Sequence, residues 1–397
     1  MNILIVNEYP INPHYGGIER VTDLLTKAFV CKGYNVTYLS SRMLENQTNV
    51  IMPVPQLVLP YAGGFDNKDN IKYYRDLLHE YKIDIVINQR GWAPFMNMVL
   101  DANGIKTVSV IHSTPMGLHI MYMKEILRHN ETFDGFWRYI CKLLIYPCYW
   151  TYKYVKSKKK LLDHYETLLS HSAAVVVLSK ECKRELEYIT RRFHQRCEIV
   201  AIPNPNMYDQ IQTNEIEKQN VILYVGRLCN NQKRPLRMLK IWQLLYKKHH
   251  NWKMIFVGEG DSLNAMKSYA NNNKIERVEF VGQVTNVEQY YKVADFICLT
   301  SDFEGWGMVL TEGMSFGCIP FTFNNYGAAS EIIDDGVNGC LIEPFDLSLY
   351  AIRLSELMQD PDRKNKMSKS ALHKVKMFSV NNVVEYWSRV FDAVLHE

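Results

Sequence analysis

The sequence predicts an α/β protein in two halves, each a parallel sheet flanked by helices. Three observations lead there. Short continuous apolar runs, such as residues 3–6 and 221–225, have the character of strands buried on both faces. They alternate with longer stretches whose apolar residues recur at helical spacing, such as Val21, Leu24, Leu25, Ala28 and Phe29. The 397 residues are enough for two domains, and the chain is broken near its middle by Pro203-Asn204-Pro205-Asn206 and a polar stretch over 209–220.

Composition narrows the class. Hydrophobic residues make up 47% and charged residues 22%, as in an ordinary folded protein. A net charge of +4 is too small to suggest nucleic-acid binding, and no nucleic-acid motif is present. Nine scattered cysteines without a Cys-x-x-Cys pair suggest reduced thiols and a cytoplasmic setting. The chain opens directly on a strand-like run, so no secretion signal is expected. No run of about 20 apolar residues occurs, so no membrane-spanning helix is expected.

The first half opens with a strand at 3–6, a turn through Pro10, Pro13 and Gly16-Gly17, a helix over 18–31 and a strand at 36–39. Gly16 and Gly17 thus fall at a helix start on the carboxyl edge of the first strand, where open α/β sheets bind ligands. They either leave room for a ligand to approach the backbone or make a turn that needs positive φ. Helices are expected at 71–81 and 93–102, and strands at 83–87 and 107–111. His112 lies just past the last of these, at the same edge. There it could donate to a hydroxyl or move a proton, although a lone histidine is often structural. Beyond it, residues 133–160 mix nine aromatics with basic side chains, and no acid occurs between Gly135 and Leu162. That suits an amphipathic helix lying on an anionic membrane surface. The plainer alternative is a helical insertion with a solvated basic end. A helix at 161–169, a strand at 173–178, a helix capped by Ser179 and a strand at 198–202 complete this half.

The second half repeats the alternation. A strand at 221–225 ends at Gly226-Arg227, and the loop that follows holds Lys233 before Pro235 opens a helix. Strands are expected at 254–257, 278–281, 296–299, 319–323 and 340–342, with a short helix at 290–294, two helices to about 375 and an amphipathic helix over 378–396. Between the strand at 296–299 and Pro320 lies the stretch on which the chain is organised. Glu304, Gly305 and Gly307 form a turn. A helix then begins near Met308 and Val309, with Glu312 on its second turn. The first amides of a helix are unpaired and carry its positive end, which suits a phosphate. Carboxylates on either side suit sugar hydroxyls. Singly, these acids and the cations Arg227 and Lys233 would read as solvated side chains.

Glu304-Gly-Trp-Gly and Glu312, with Gly-Arg-Leu at 226–228, Lys233-Arg234 and Gly-Gly-Ile-Glu-Arg at 16–20, resemble the signature of glycosyltransferase family 4. The resemblance covers most of the chain and is strongest over 221–344. It implies the GT-B fold: two Rossmann-like domains with a cleft between them. The divisions expected are 1–205 with a basic aromatic insertion at about 115–160, 206–375 for the nucleotide sugar, and 376–397 as a helix crossing back to the first domain. It also implies roles. Arg227, Lys233 and the amides of Met308 and Val309 would hold the donor diphosphate, with Gly305 and Gly307 shaping the turn. Glu312 would hold the ribose, Glu304 a sugar hydroxyl, and the backbone near Val284 the base. Gly16 and Gly17 would face the donor, and His112 would touch the transferred sugar. The nucleotide sugar would be a substrate, and neither cofactor nor metal is expected.

The function implied is retaining transfer of a sugar, from a UDP-sugar by family frequency, to a glycan or lipid-linked saccharide in surface-polysaccharide assembly. The enzyme would be cytoplasmic and peripheral on the inner face of the cell membrane. A GT-B nucleotide-sugar epimerase and a non-catalytic nucleotide-sugar-binding subunit share these features and stay open. The chain departs from the family at Asn204-Pro205, where Asn-Gly is common, and in the length of the aromatic segment.

Overall fold

A computed structural model of the chain describes residues 1–14, 16–41, 52–61, 67–90, 104–117, 146–194, 197–208 and 217–396, with 146–150 described by backbone alone. The chain forms two compact units, Met1–Pro205 with Val380–Glu397 and Asn206–Ser379.

The first unit is built on a seven-stranded sheet. Its strands are β1 (Asn2–Asn7), β2 (Asn35–Ser40), β3 (Gln56–Val58), β4 (Ile85–Asn88), β5 (Lys106–Ile111), β6 (Ala174–Val177) and β7 (Glu198–Ala201). All pairings are parallel, in the order β3-β2-β1-β4-β5-β6-β7. Ile3 lies opposite Val36 on one side and Ile85 on the other. Ile3, Leu4, Ile5 and Val6 are all buried, as a strand covered on both faces requires. The helices are α1 (Gly17–Cys31), α2 (Lys68–Glu80), α3 (Tyr146–His171) and α4 (Lys180–Ile189). The Ser179 hydroxyl caps α4 by accepting the Cys182 amide at 3.0 Å.

The second unit repeats the design with β8 (Val221–Val225), α5 (Pro235–Leu245), β9 (Lys253–Val257), α6 (Leu263–Asn272), β10 (Val278–Gly282), α7 (Glu288–Val293) and β11 (Ala294–Cys298). It continues through α8 (Met308–Met314), β12 (Ile319–Phe323), α9 (Ala329–Ile332), β13 (Cys340–Ile342), α10 (Leu347–Gln359) and α11 (Pro361–Val375). The sheet order is β10-β9-β8-β11-β12-β13, again parallel throughout. Trp242, Trp252, Phe256, Phe296 and Tyr350 anchor its core. A short 3₁₀ turn, Lys376–Phe378, stays with this unit rather than with the final helix.

That final helix, α12 (Val380–His396), belongs to the first unit. Phe29 of α1 packs against its Trp387 and Phe391, with ring centroids 6.2 Å and 5.5 Å apart.

Three sequence expectations change. The helix expected at 161–169 is the end of α3, which starts at Tyr146, so the basic aromatic segment runs into it without a break. β3 went unread because it is three half-buried residues with little pattern to show. α6 buries only Met266 and Ala270, too narrow an apolar face to announce a helix. The helix expected at 93–102 lies outside the described residues.

Candidate active site

In the second sheet the strand order reverses between β8 and β11, which pair with each other while their outer neighbours are β9 and β12. Two loops leave the carboxyl ends of the strands at this switch point, 226–234 and 299–307. Such a point is where open α/β sheets hold ligands.

Many hydrogen bonds lock the two loops together. The Asp302 amide donates to Gln232 O at 2.8 Å, and the Thr300 hydroxyl donates to Arg234 O at 3.0 Å. Arg234 Nε and Arg237 Nη1 hold the buried Asp302 carboxylate at 2.6 and 2.8 Å. Arg234 adopts left-handed backbone, φ +48°, just ahead of Pro235 at the start of α5. On this frame Lys233 Nζ donates to Glu304 Oε1 at 2.6 Å, and Ser301 Oγ donates to the same oxygen at 2.5 Å. Arg227 is exposed on the same loop and forms no ion pair among the described residues.

Glu304 is 5% exposed and Glu312 1%, so neither is a solvated surface acid. A buried carboxylate needs partners to offset its lost hydration. Lys233 and Ser301 serve Glu304, and the Tyr291 hydroxyl donates to Glu312 Oε2 at 2.7 Å. Gly307 takes φ +91° at the start of α8, and a Cβ there would sit 3.1 Å from the Tyr326 hydroxyl. Gly305 lies in the same turn. Met308 and Val309 open α8 and are half-buried, as is Val284 in the loop after β10. The strand order and loops thus bring Arg227, Lys233, Glu304 and Glu312 to one edge of one unit.

Two glycines of this edge, Gly258 and Gly260, read from the sequence only as a turn after a strand. A Cβ at Gly258 would stand 2.1 Å from Gly226 O, and one at Gly260 2.4 Å from Leu228 O. Both have positive φ, +135° and +157°. The loops after β8 and β9 therefore run backbone against backbone, joined by the Leu228 amide donating to Glu259 O at 2.8 Å. The signal was present as Gly-Glu-Gly directly after an apolar run.

The first sheet has its own switch point between β1 and β4. Gly16 is extended, φ −169°, and Gly17 is the first residue of α1, so neither is there for positive φ. A Cβ at Gly17 would meet nothing within 4 Å, which leaves open space above the helix start. His112 follows β5, half-buried, and its Nε2 lies 2.5 Å from Gln89 Oε1. A carbonyl oxygen only accepts, so Nε2 carries the hydrogen and Nδ1 is left as an acceptor. Burial, with Arg90 nearby, holds the imidazole down at about 3, so it is neutral at ordinary pH. Arg90 in turn donates to Asn7 Oδ1 at 3.1 Å and lies 3.9 Å from Glu19. Gln89 and Arg90 were legible only by their place just past a buried strand, the same signal that marked His112.

The loop after His112 is fixed from below. Tyr165 of α3 donates to Pro115 O at 2.6 Å, and the Met116 amide donates to Glu185 of α4 at 3.3 Å. Residues 133–145 of the basic aromatic segment lie outside the described residues. The remainder opens α3, in which Tyr152, Tyr154 and Val155 are exposed and the Lys156 and Lys158 ammonium groups lie over the Tyr152 and Tyr154 rings. Its second half buries Leu161, Tyr165, Leu168 and Leu169 in the core.

Among the described residues, no cluster of three His, Cys, Asp or Glu is placed to hold a metal, and no helix is long and apolar enough to cross a membrane. Asp360, which begins the triplet Asp360-Pro361-Asp362, caps α11 by accepting the Arg363 amide.

Residues 15–205 match the family described as Glycosyltransferase Family 4, and residues 208–374 match Glycosyl transferases group 1. The chain belongs to glycosyltransferase family 4. This family 4 enzyme is 23% identical over 381 residues to an uncharacterized glycosyltransferase of Haemophilus influenzae, covering 94% of this chain and 96% of that protein. It is 28% identical over 205 residues, 51% of this chain and 56% of the other, to a Campylobacter jejuni alpha-1,4-N-acetyl-D-galactosaminyltransferase. The name of that protein gives its acceptor as a diNAcBac-PP-undecaprenol-linked saccharide. Anabaena Alr3699/HepE, solved in complex with UDP and glucose, shares the fold with a TM-score of 0.74 at 15% identity, over 99% of this chain and 100% of that one. The fold of this glycosyltransferase is GT-B, with two Rossmann-like domains.

Proposed function

We propose that this glycosyltransferase moves a sugar from a UDP-sugar to a hydroxyl of a lipid-linked saccharide or other glycan, with retention of configuration. The observation that carries the reading is the Lys233–Glu304 pair on locked loops at the second sheet's switch point, with Arg227 and Glu312 on the same edge. The acceptor oxygen forms a bond to the anomeric carbon as the bond from that carbon to the diphosphate breaks. The electron pair leaves with the diphosphate, and the acceptor proton goes with it or to water.

In this reading Arg227, Lys233 and the Met308 and Val309 amides stabilise the charge gathering on the diphosphate. An ammonium has three donors, so Lys233 can hold Glu304 and a phosphate oxygen together. Glu304 accepts from a sugar hydroxyl, Glu312 from the ribose, and the backbone near Val284 meets the base. Gly16 and Gly17 face the donor, with open space at Gly17 to admit it, and His112 accepts from a sugar hydroxyl through Nδ1. Protein cations do the work that a metal would otherwise do. The UDP and glucose in the Anabaena complex and the polyprenyl-linked acceptor of the Campylobacter relative support the donor and acceptor classes. The exposed basic and aromatic half of α3 supports a peripheral place on an anionic membrane, where a lipid-linked acceptor is found.

The test is thermal stabilisation of the wild type and of Glu312→Ala by a panel of nucleotides and nucleotide sugars, without metal. A ligand at a hundred times its dissociation constant adds about 2.7 kcal/mol. A UDP-sugar should shift the wild type and shift the variant much less. Absence of any shift, with liposomes and acceptor also supplied, rejects the donor site.

A further inference from the structure

A tyrosine from another element reaches Glu312 and is itself rigidly held. Tyr291, on α7, is fully buried and donates to Glu312 Oε2 at 2.7 Å. Its ring stacks on Phe316 at 5.7 Å with 21° between planes, and Tyr208 packs edge-on against both rings, at 6.3 Å and 5.0 Å. Its backbone is pinned as well. Lys218 Nζ donates to Tyr291 O at 3.3 Å, to Ala294 O at 2.6 Å and to Phe316 O at 2.7 Å. The hydroxyl therefore has little freedom to leave the carboxylate.

A carboxylate rotates about its own axis unless something fixes one oxygen. Tyr291 fixes Oε2, which aims Oε1 and the remaining lone pairs in one direction. We propose that Tyr291 is the positioning residue for nucleotide recognition: it orients the Glu312 carboxylate so that it accepts from a ribose hydroxyl. The proposal rests on the ribose role given to Glu312 above. The competing explanation is that the tyrosine only satisfies a buried acid and stabilises the fold.

Two ligands separate these. Binding of UDP and of 2′,3′-dideoxyuridine diphosphate is measured by calorimetry on wild type, Tyr291→Phe, Glu312→Gln and the double variant. Phenylalanine keeps the ring and its stacking, and melts without nucleotide report folding independently. The wild type should prefer UDP by roughly 10- to 100-fold, the range for a hydrogen bond to a charged group. In Tyr291→Phe that preference should shrink at least fivefold through weaker UDP binding, with the dideoxy analogue within about twofold of wild type. In the Glu312→Gln background the tyrosine change should have no further effect on the ratio. Equal loss for both nucleotides, or an unchanged ratio, overturns the positioning role. If the wild type shows no preference and Glu312→Gln is silent, the ribose assignment falls and takes this proposal with it. If UDP does not bind the wild type at all, the donor site itself has failed.

Discussion

Lys233 and Glu304 meet at 2.6 Å although 71 residues separate them, each supplied by a different loop. The lysine side chain is 20% exposed and the glutamate 7%, so the pair is shielded from water and salt. Removing one partner of such a pair strands the other, which costs about 3 kcal/mol. Lys233→Met should lower stability by that order and turnover by about a hundredfold or more. Glu304→Gln keeps a neutral acceptor for Ser301 and should destabilise less. Adding it to Lys233→Met should recover part of the loss. Urea denaturation of the four proteins measures this. A loss under about 0.5 kcal/mol for Lys233→Met would mean the pair behaves as an ordinary surface contact.

Glycine substitutions should split into two kinds. Gly258→Ala places a Cβ against Gly226 O in a backbone conformation that resists it, and should cost several kcal/mol or prevent folding. Gly17→Ala meets nothing within 4 Å and sits in a helical position, so its stability should hold or rise by about 0.5 kcal/mol. If the donor approaches there, Gly17→Ala should lose turnover while its melting temperature holds. A folded variant with full activity would remove Gly17 from the site.

His112 ties stability to acidity. Its folded value is depressed to about 3 from an ordinary 6.5, so the unfolded chain takes up a proton first as pH falls. Its contribution is complete above pH 6.5 and is lost as pH falls toward 3. Arg90 and, through it, Glu19 are the charged groups facing this part of the site. His112→Gln should therefore lose less stability than wild type between pH 7 and pH 5. An imidazole NMR titration should show His112 unprotonated through that range. A midpoint near 6.5 contradicts the Gln89-bound ring.

The first half of α3 offers a fourth test. Lys156, Lys159 and Lys160 are exposed. Each basic residue near an anionic membrane contributes about 1 kcal/mol. Changing the three to glutamate should reduce binding to vesicles rich in phosphatidylglycerol at least a hundredfold, with the loss reproduced by high salt. Equal binding to phosphatidylcholine vesicles by wild type would show that charge is not what holds the protein there.

Most strands were legible because a parallel sheet buried on both faces leaves an unbroken apolar run. The site residues were legible as positions, because an edge of such a sheet is known once the strands are. Contacts between them were not. Pattern places Lys233 and Glu304 at one edge but cannot join them, and the same holds for His112 with Gln89 and Glu312 with Tyr291. Gly258 reads only as a turn residue because its need is a close approach from another loop, invisible in its own neighbours. The tyrosine beneath Glu312 looked like one more aromatic on a short helix.

The return of α12 to the first unit has a consequence for synthesis. On the ribosome, Phe29 of α1 emerges early, and the helix carrying Trp387 and Phe391 follows only after the whole of Asn206–Ser379. The second unit has all its strands before the first has its last helix, so the later half can finish first. Meanwhile the Phe29 face of α1 lacks its Trp387 and Phe391 cover for some 350 residues of translation, tens of seconds at roughly 5–20 residues per second. A nascent chain stalled before residue 380 should be a chaperone client through that face, and one stalled well beyond it should not.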